Sequence, residues 1–173
     1  MKTNIKNLLL LTLPLLPLLS FAQSPGEADG FEILEVRVDV PSAWNVFTDE
    51  RLGSVLLSHI RTVFEREGFE GEIRRVAWGE QPADDLPFLD LKLFEWRIND
   101  AGMVECSIRG SFTTADGAKV SLGTIKATEF TWGDEEGWTM DDSFDDAAKK
   151  AARDLWRELD EKGLAMNTDF GGV

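Results

Sequence analysis

The chain has one cysteine and one histidine, Cys106 and His59, so these are its only candidates for a thiol–imidazole pair. A nucleophilic thiol needs a neighbouring base and surroundings that favour the thiolate. Cys106 alternates with Val104 and Ile108 on the apolar side of its strand, so it is predicted to pack as a small hydrophobic residue. His59 lies on the apolar stripe of a helix, and we interpret it as a boundary histidine with one hydrogen bond.

The remaining chemistry-bearing residues are acids. One histidine and one cysteine without motif spacing do not predict a zinc site. Acids cluster at residues 84–85, 134–136 and 141–142, but a glycosidase needs two carboxylates placed across a cleft. The alternating ligands of an EF-hand, a G-x-S-x-G elbow and a phosphate loop are all missing from the sequence. We therefore expect no cofactor, no metal and no catalytic residue.

The N-terminus determines where the protein goes. Residues 1–22 combine two lysines, Lys2 and Lys6, with a short apolar run and small residues at Ser20 and Ala22. This is the pattern of a secretory signal peptide, with cleavage after Ala22. The alternative, a membrane anchor, fits less well because the run is shorter than the ~20 residues of a spanning helix. No cysteine follows for lipid attachment, so we expect an exported mature chain without a transmembrane segment, in the periplasm or alternatively outside the cell.

The mature chain is strongly acidic. Removing the two leader lysines from 18 basic residues leaves 16 against 32 acids, a net charge near −16. Such a surface repels phosphate backbones, which argues against nucleic-acid binding. A single cysteine cannot form an intramolecular disulfide, so the fold must depend on its core. The length is that of one domain.

Hydrophobic periodicity predicts an α+β domain over residues 31–163, between a flexible N-terminus at 23–30 and a loose tail at 164–173. A change of apolar phase across Gly123 predicts a β-bulge. The expected fold is two-layered, with a mixed or mostly antiparallel sheet of about five strands and two helices on one face. The predicted order is β-α-β-β-β-β-α, with strands at 31–40, 72–78, 88–98, 103–114 and 120–132 and helices at 48–69 and 143–163.

Aromatic residues are the candidates for a binding surface. Phe94 and Trp96 alternate with the leucines of the third strand, so they are predicted to lie on the sheet face away from the helices. Trp132 and Trp138 flank an acidic loop and are placed near the rim of that face. An exposed apolar patch there would suit a protein partner or a sugar. Alternatively, Trp44 in the connection before the first helix, or the chain ends, fold over this face and bury the aromatics.

The succession of elements resembles a known group of proteins. The stretches "ILEVRVDVP", "LGSVLLSHIRTVFEREGF", "ADDLPFLDLKLFEWRI", "TADGAKVSLGT" and "SFDDAAKKAARDLWREL" follow one another as in small domains of the bacterial cell envelope. Examples are the lipopolysaccharide-assembly lipoprotein, the amino-terminal domain of the Tol translocation protein and the periplasmic part of the curli secretion protein. The resemblance rests on element order over nearly all of the mature chain. It implies binding or assembly without catalysis, and it carries over no individual functional residue.

The sequence therefore predicts an exported bacterial envelope protein that acts as a non-enzymatic binding or assembly module. Its expected partner is an envelope protein or a glycan. The alternative is a carbohydrate-active or hydrolytic secreted protein that uses loop carboxylates. That alternative requires a cleft with two facing acids beside an exposed tryptophan.

Overall fold

The computed structural model describes residues 31–41, 46–130 and 140–164, with the side chains of 46–50 left undescribed. The predicted signal peptide, the predicted flexible N-terminus and all but the first residue of the predicted tail lie outside this part. The element order β-α-β-β-β-β-α is confirmed, and observed ends differ from predicted ends by at most three residues. The elements are β1 (Ile33–Asp39), α1 (Val46–Arg66), β2 (Glu72–Arg75), β3 (Phe88–Ile98), β4 (Met103–Thr113), β5 (Lys119–Phe130) and α2 (Met140–Glu161).

The five strands form one mixed sheet in the order β2-β1-β3-β4-β5. β1 pairs in parallel with both β2 and β3, and β3, β4 and β5 form an antiparallel meander. Both helices pack on one face, which we call the covered face, and the opposite face is called the outer face. The two-layer α+β class is thereby confirmed. Among the described residues, no helix is long and apolar enough to cross a membrane.

The hydrophobic core lies between the covered face and the two helices. Phe64 of α1 is fully buried, and its ring meets Trp156 of α2 edge-on at a centroid distance of 4.9 Å. α2 turns a row of buried alanines to the sheet, which lets its axis come close because little side-chain volume lies between. These alanines are Ala147, Ala148, Ala151 and Ala152.

Two β-bulges change which face the later strand residues point to. One lies at Gly123, which has a φ of 71°, so the predicted bulge is confirmed. The other lies between Leu93 and Glu95 and was not predicted. It inserts Phe94 as an extra residue in β3, and an extra residue reverses the alternation of the side chains that follow.

The helices also reach the two edges of the sheet. Glu72 donates its N–H to the Glu32 carbonyl just before β1, and Val76 donates its N–H to Val36 of β1. The Ile73 carbonyl between them therefore points to the free edge, where it accepts a hydrogen bond from Arg61 Nη2 at 2.9 Å. At the other edge, the Thr128 carbonyl accepts a hydrogen bond from Lys150 Nζ at 3.0 Å. Each helix therefore supplies a cation to an edge carbonyl.

Candidate functional surface

The outer face is the candidate functional surface because the helices leave it free. Its residues alternate with the buried ones in each strand, and most of them are charged or carry a hydroxyl group. A continuous row crosses four strands at one level, since Lys92 of β3 pairs with Asp39 of β1 and with Arg109 of β4, and Arg109 pairs with Thr124 of β5. This face, unlike the covered one, can meet a ligand without unpacking the core.

The connection between β2 and β3 crosses part of the outer face. β2 and β3 are parallel and β1 lies between them, so the connecting loop must pass over β1. Ala83 N donates to Glu35 Oε2 at 2.8 Å, which fastens the loop to the sheet and leaves Glu35 only 7% exposed. The element that partly covers this face is therefore this loop. The predicted alternatives, the connection at Trp44 and the chain ends, lie outside the described residues.

Most charges on the outer face are neutralised locally. Arg37 holds Asp90 on the neighbouring strand with two hydrogen bonds, Nε to Oδ1 at 3.1 Å and Nη2 to Oδ2 at 2.9 Å. The same guanidinium lies 5.0 Å from the centre of the Phe88 ring. A two-pronged pair of this kind is geometrically specific, so it fixes β1 against β3.

Glu105 is the most enclosed acid of the outer face. Its Oε1 lies 2.7 Å from Lys126 Nζ, and the side chain is 5% exposed. The Lys126 ammonium holds the pKa of the Glu105 carboxyl below its ordinary value, against the opposing effect of burial, and hydrogen bonds with Glu95 and Asn99 add to this lowering. The Lys126 side chain is 58% exposed, so solvent and salt still screen the pair.

The lowered pKa makes Glu105 a contributor to acid sensitivity. Its ionised form stabilises the fold above pH 4.5, its ordinary pKa, and that contribution is lost as the pH falls through the lower folded-state value. We expect Glu105→Gln to reduce the loss of stability on acidification, measured by urea unfolding at about pH 7 and about pH 3. Lys126→Gln removes the same attraction and should act alike. An acid response unchanged in both variants would contradict the pairing.

Phe94 is the exposed aromatic of the outer face. It follows the buried Leu93, so the alternation of the strand points it outward, where it is 36% exposed. The Arg109 guanidinium carbon lies 4.9 Å from its ring centre and Lys92 Nζ lies 5.9 Å away. The predicted position of Phe94, on the face away from the helices, is the one observed.

Trp96 does not share that face, and the expectation that it would is wrong. It pairs with Cys106, whose side chain points into the core. Its indole N–H donates to the Phe144 carbonyl of α2 at 3.1 Å, and the two rings lie 6.3 Å apart. The physical reason is the bulge at Phe94, which returns Trp96 to the covered face, partly buried under α2.

Of the other tryptophans, Trp156 packs partly buried against the core, and Trp44 lies outside the described residues. Trp132 and Trp138 lie outside the described residues. Trp78, which was not among the predicted site residues, is 86% exposed. It sits in a tight turn closed by the Glu80 N–H on the Ala77 carbonyl at 3.1 Å, with Gly79 at a φ of 85°. The only sequence signal for this position was the glycine directly after a tryptophan, which favours a turn and says little about exposure.

Cys106 and His59 do not form a catalytic pair. Cys106 is fully buried, and burial together with the nearby Glu105 charge raises the pKa of its thiol to about 12. His59 Nε2 instead lies 3.1 Å from Asp145 Oδ1 on α2, so it links the two helices. The predicted placements, Cys106 in the apolar core and His59 with a hydrogen-bond partner, are the ones observed. In the described parts of the chain, no group of three or more His, Cys, Asp or Glu side chains is placed to hold a metal ion.

The burial of Cys106 has a direct chemical test. We expect iodoacetamide at neutral pH to leave the thiol unmodified in the folded protein and to alkylate it once urea unfolds the chain, because the thiolate is both scarce and enclosed. Mass spectrometry of the reaction at increasing urea concentration would show alkylation following the unfolding curve. Rapid alkylation without urea would show that the strand opens locally.

Comparison with known proteins finds solved structures of similar fold but no matching family or curated sequence. The sequence matches no family profile and no curated protein. Among solved structures, a Xanthomonas campestris protein of the family DUF330 is 10% identical at a TM-score of 0.55, over 81% of this chain and 91% of that one. A PelC dodecamer from Paraburkholderia phytofirmans is 15% identical at a TM-score of 0.52, over 76% of this chain and 90% of its own. The shared feature is the fold, and the resemblance to three named envelope families stays a prediction.

Proposed function

We propose that this protein is an exported bacterial envelope protein that works by binding or assembly rather than by catalysis. The observation that carries the proposal is the contrast between the two sheet faces. Two helices occupy the covered face, while the outer face is free of helices and exposes Phe94 beside two cations. The predicted signal peptide supplies the route to the envelope, in the periplasm or outside the cell.

The similar folds support the proposal at the level of architecture. The PelC structure is that of a dodecamer, so at least one protein with this fold assembles with copies of itself. For this chain, the partner is an envelope protein, a glycan or a second copy. Backbone pairing along the sheet edges is hindered because Arg61 and Lys150 already occupy edge carbonyls. Contact through faces and turns is therefore the favoured mode.

The proposed contact surface has Phe94 at its centre and Trp78 as a second contact. Trp96 supports it from behind, because its packing under α2 holds the segment of β3 that follows the bulge. Trp132 and Trp138 remain proposed rim contacts. An exposed tryptophan on a closed turn loses little conformational freedom on binding, which is a property of interface hot spots.

The test is site-specific photocrosslinking in the native host. A photoreactive residue at Phe94 or Trp78 should capture the same envelope component, whereas one at the exposed Phe130 on the far end of β5 should not. Trp78→Ala should reduce capture strongly and leave the unfolding midpoint unchanged, with Phe130→Ala as the matched control. Equal capture at all three positions, or capture at Phe130 alone, would overturn this assignment of the surface.

The alternative, a carbohydrate-active or hydrolytic protein that uses loop carboxylates, depends on facing acids. Asp84 and Asp85 are exposed in the loop over β1, and Asp141 lies in the first turn of α2. The third cluster, 134–136, lies outside the described residues. Turnover of an envelope polysaccharide that is lost in Asp84→Asn or Asp141→Asn would favour this alternative over binding.

A further inference from the structure

Two cations on the outer face stand directly opposite each other. Lys92 of β3 and Arg109 of β4 are paired in the register, and like charges placed opposite one another in adjacent strands repel. Asp39 partly offsets this repulsion, since its Oδ2 lies 3.9 Å from Lys92 Nζ. Among the described residues, Arg109 forms no ion pair with a carboxylate, whereas Arg37, Arg97 and Lys126 on the same face each do. Positive charge is thus concentrated at one point of an acidic protein.

Arg109 is also held in place. Its Nε donates to Thr124 Oγ1 at 3.2 Å, and its guanidinium lies over the Phe94 ring. These contacts orient the planar group, the residue is exposed, and within the described residues no hydrogen bond from its terminal nitrogens is found. A guanidinium fixed in this way can receive a carboxylate through two parallel hydrogen bonds.

The residues around Arg109 indicate which kind of molecule carries that carboxylate. Protein interfaces have an apolar, aromatic core. Around Arg109, by contrast, the outer face offers the hydroxyl groups of Thr124, opposite it on β5, and of Ser111, two residues along β4, together with charges that are already paired. An isolated aromatic ring beside hydroxyls and a free cation suits a sugar ring, whose C–H face stacks on the aromatic while its polar groups form hydrogen bonds.

We infer that Phe94 and Arg109, with Lys92 beside them, form a binding site for an acidic sugar residue. The carboxylate of the sugar pairs with Arg109, and its ring packs on the part of Phe94 that the two cations leave exposed. Lys92 adds positive potential, and the ligand's negative charge relieves the repulsion between the two cations. The inference deepens the proposed function, on which it rests, by naming an acidic glycan as the ligand of the outer face.

The test is titration of the mature protein with trigalacturonate, followed by ¹H–¹⁵N NMR of the β3 and β4 amides. A titration to about 10 mM would detect a site with a Kd near 1 mM. We expect shifts around residues 92–95 and 107–110. Arg109→Gln should weaken binding at least about tenfold, because a charge-assisted pair is lost. Phe94→Leu should weaken binding while keeping every charge. The affinity of Arg109→Lys should lie between that of Arg109→Gln and that of the unsubstituted protein.

Matched controls separate this site from general electrostatics. Lys119 is an exposed cation of β5, for which no ion pair is found among the described residues, so Lys119→Gln removes the same charge elsewhere and should leave binding unchanged. The inference would be overturned if Lys119→Gln weakened binding as much as Arg109→Gln does, or if trigalacturonate did not bind at all. It would also be overturned if neutral maltotriose or a short polyglutamate peptide bound as tightly as trigalacturonate. Sugar binding without any photocrosslinked envelope component would leave this site standing and remove the proposed function.

Discussion

Phe64→Ala is expected to lower the free energy of unfolding by about 3–5 kcal/mol. Phe64 is fully buried between α1, α2 and the sheet, and its ring meets Trp156 edge-on. The substitution removes the transfer free energy of the ring and leaves a cavity that neighbouring helices can only partly close. It also removes an aromatic contact worth about 0.5–1.5 kcal/mol beyond its buried area.

Urea unfolding followed by tryptophan fluorescence would measure this loss. Phe94→Ala is the matched control, since it removes the same ring from the outer face. There the expected cost is about 0.5–1 kcal/mol, the worth of an exposed cation–π contact. If the two variants lost stability equally, the placement of the core between the helices and the covered face would be wrong.

Gly71→Ala should destabilise the protein by about 1–3 kcal/mol through overpacking. A Cβ at this position would lie 2.5 Å from the Phe69 ring and 2.7 Å from the Glu32 carbonyl oxygen. That oxygen accepts the Glu72 N–H at 2.7 Å, the bond at the start of β2, and Phe69 is itself buried against Phe31. Neither neighbour can move without opening the β1–β2 edge.

Gly53→Ala is the matched substitution, for which we expect a gain in stability rather than a loss. Gly53 lies inside α1, and a Cβ there would have its nearest neighbour at an ordinary 3.5 Å. Alanine is favoured over glycine in a helix interior by about 0.8–1.0 kcal/mol, so the unfolding midpoint should rise. Thermal unfolding of both variants would test the pair, and a stable Gly71→Ala would show that the β2 edge yields more readily than its contacts indicate.

The fold was accessible from the sequence because its periodicities are strong. The alternation of valines in β1, the spacing of apolar residues in α1 and the change of phase at Gly123 each identify a feature that the structure contains. The starts of the helices were less accessible. Thr48 and Ser143 are of residue types that favour N-caps, yet both lie inside their helices, and the Ser143 hydroxyl donates to the Phe130 carbonyl of β5 at 3.4 Å.

The candidate site was less accessible, and the reason is the bulge in β3. The leucines of β3 occupy one phase and Trp96 and Ile98 the other, which is the same signal that revealed the bulge at Gly123. This second bulge was not recognised, because Phe88 and Phe94 share the phase of Trp96 and suggest one continuous aromatic side of the strand. A glycine marks its bulge, whereas a phenylalanine does not.

The Lys92–Arg109 pairing could not be predicted for a different reason. Which residues of β3 and β4 stand opposite each other depends on the hairpin register and on the extra residue at Phe94. Sequence alternation assigns a residue to a face, but it does not assign its cross-strand neighbour. The opposition of two cations on the outer face could therefore be identified only from the structure.

The cations at the two sheet edges have a kinetic consequence. A strand from an unfolding neighbour could add to β2 or β5 only where the edge carbonyls are free, and Arg61 and Lys150 must first leave Ile73 and Thr128. Strand addition at these two positions would then require each cation to release its carbonyl as an early step. Chemical neutralisation of Lys150, for example by acetylation, would shorten the lag before aggregation while leaving the core intact.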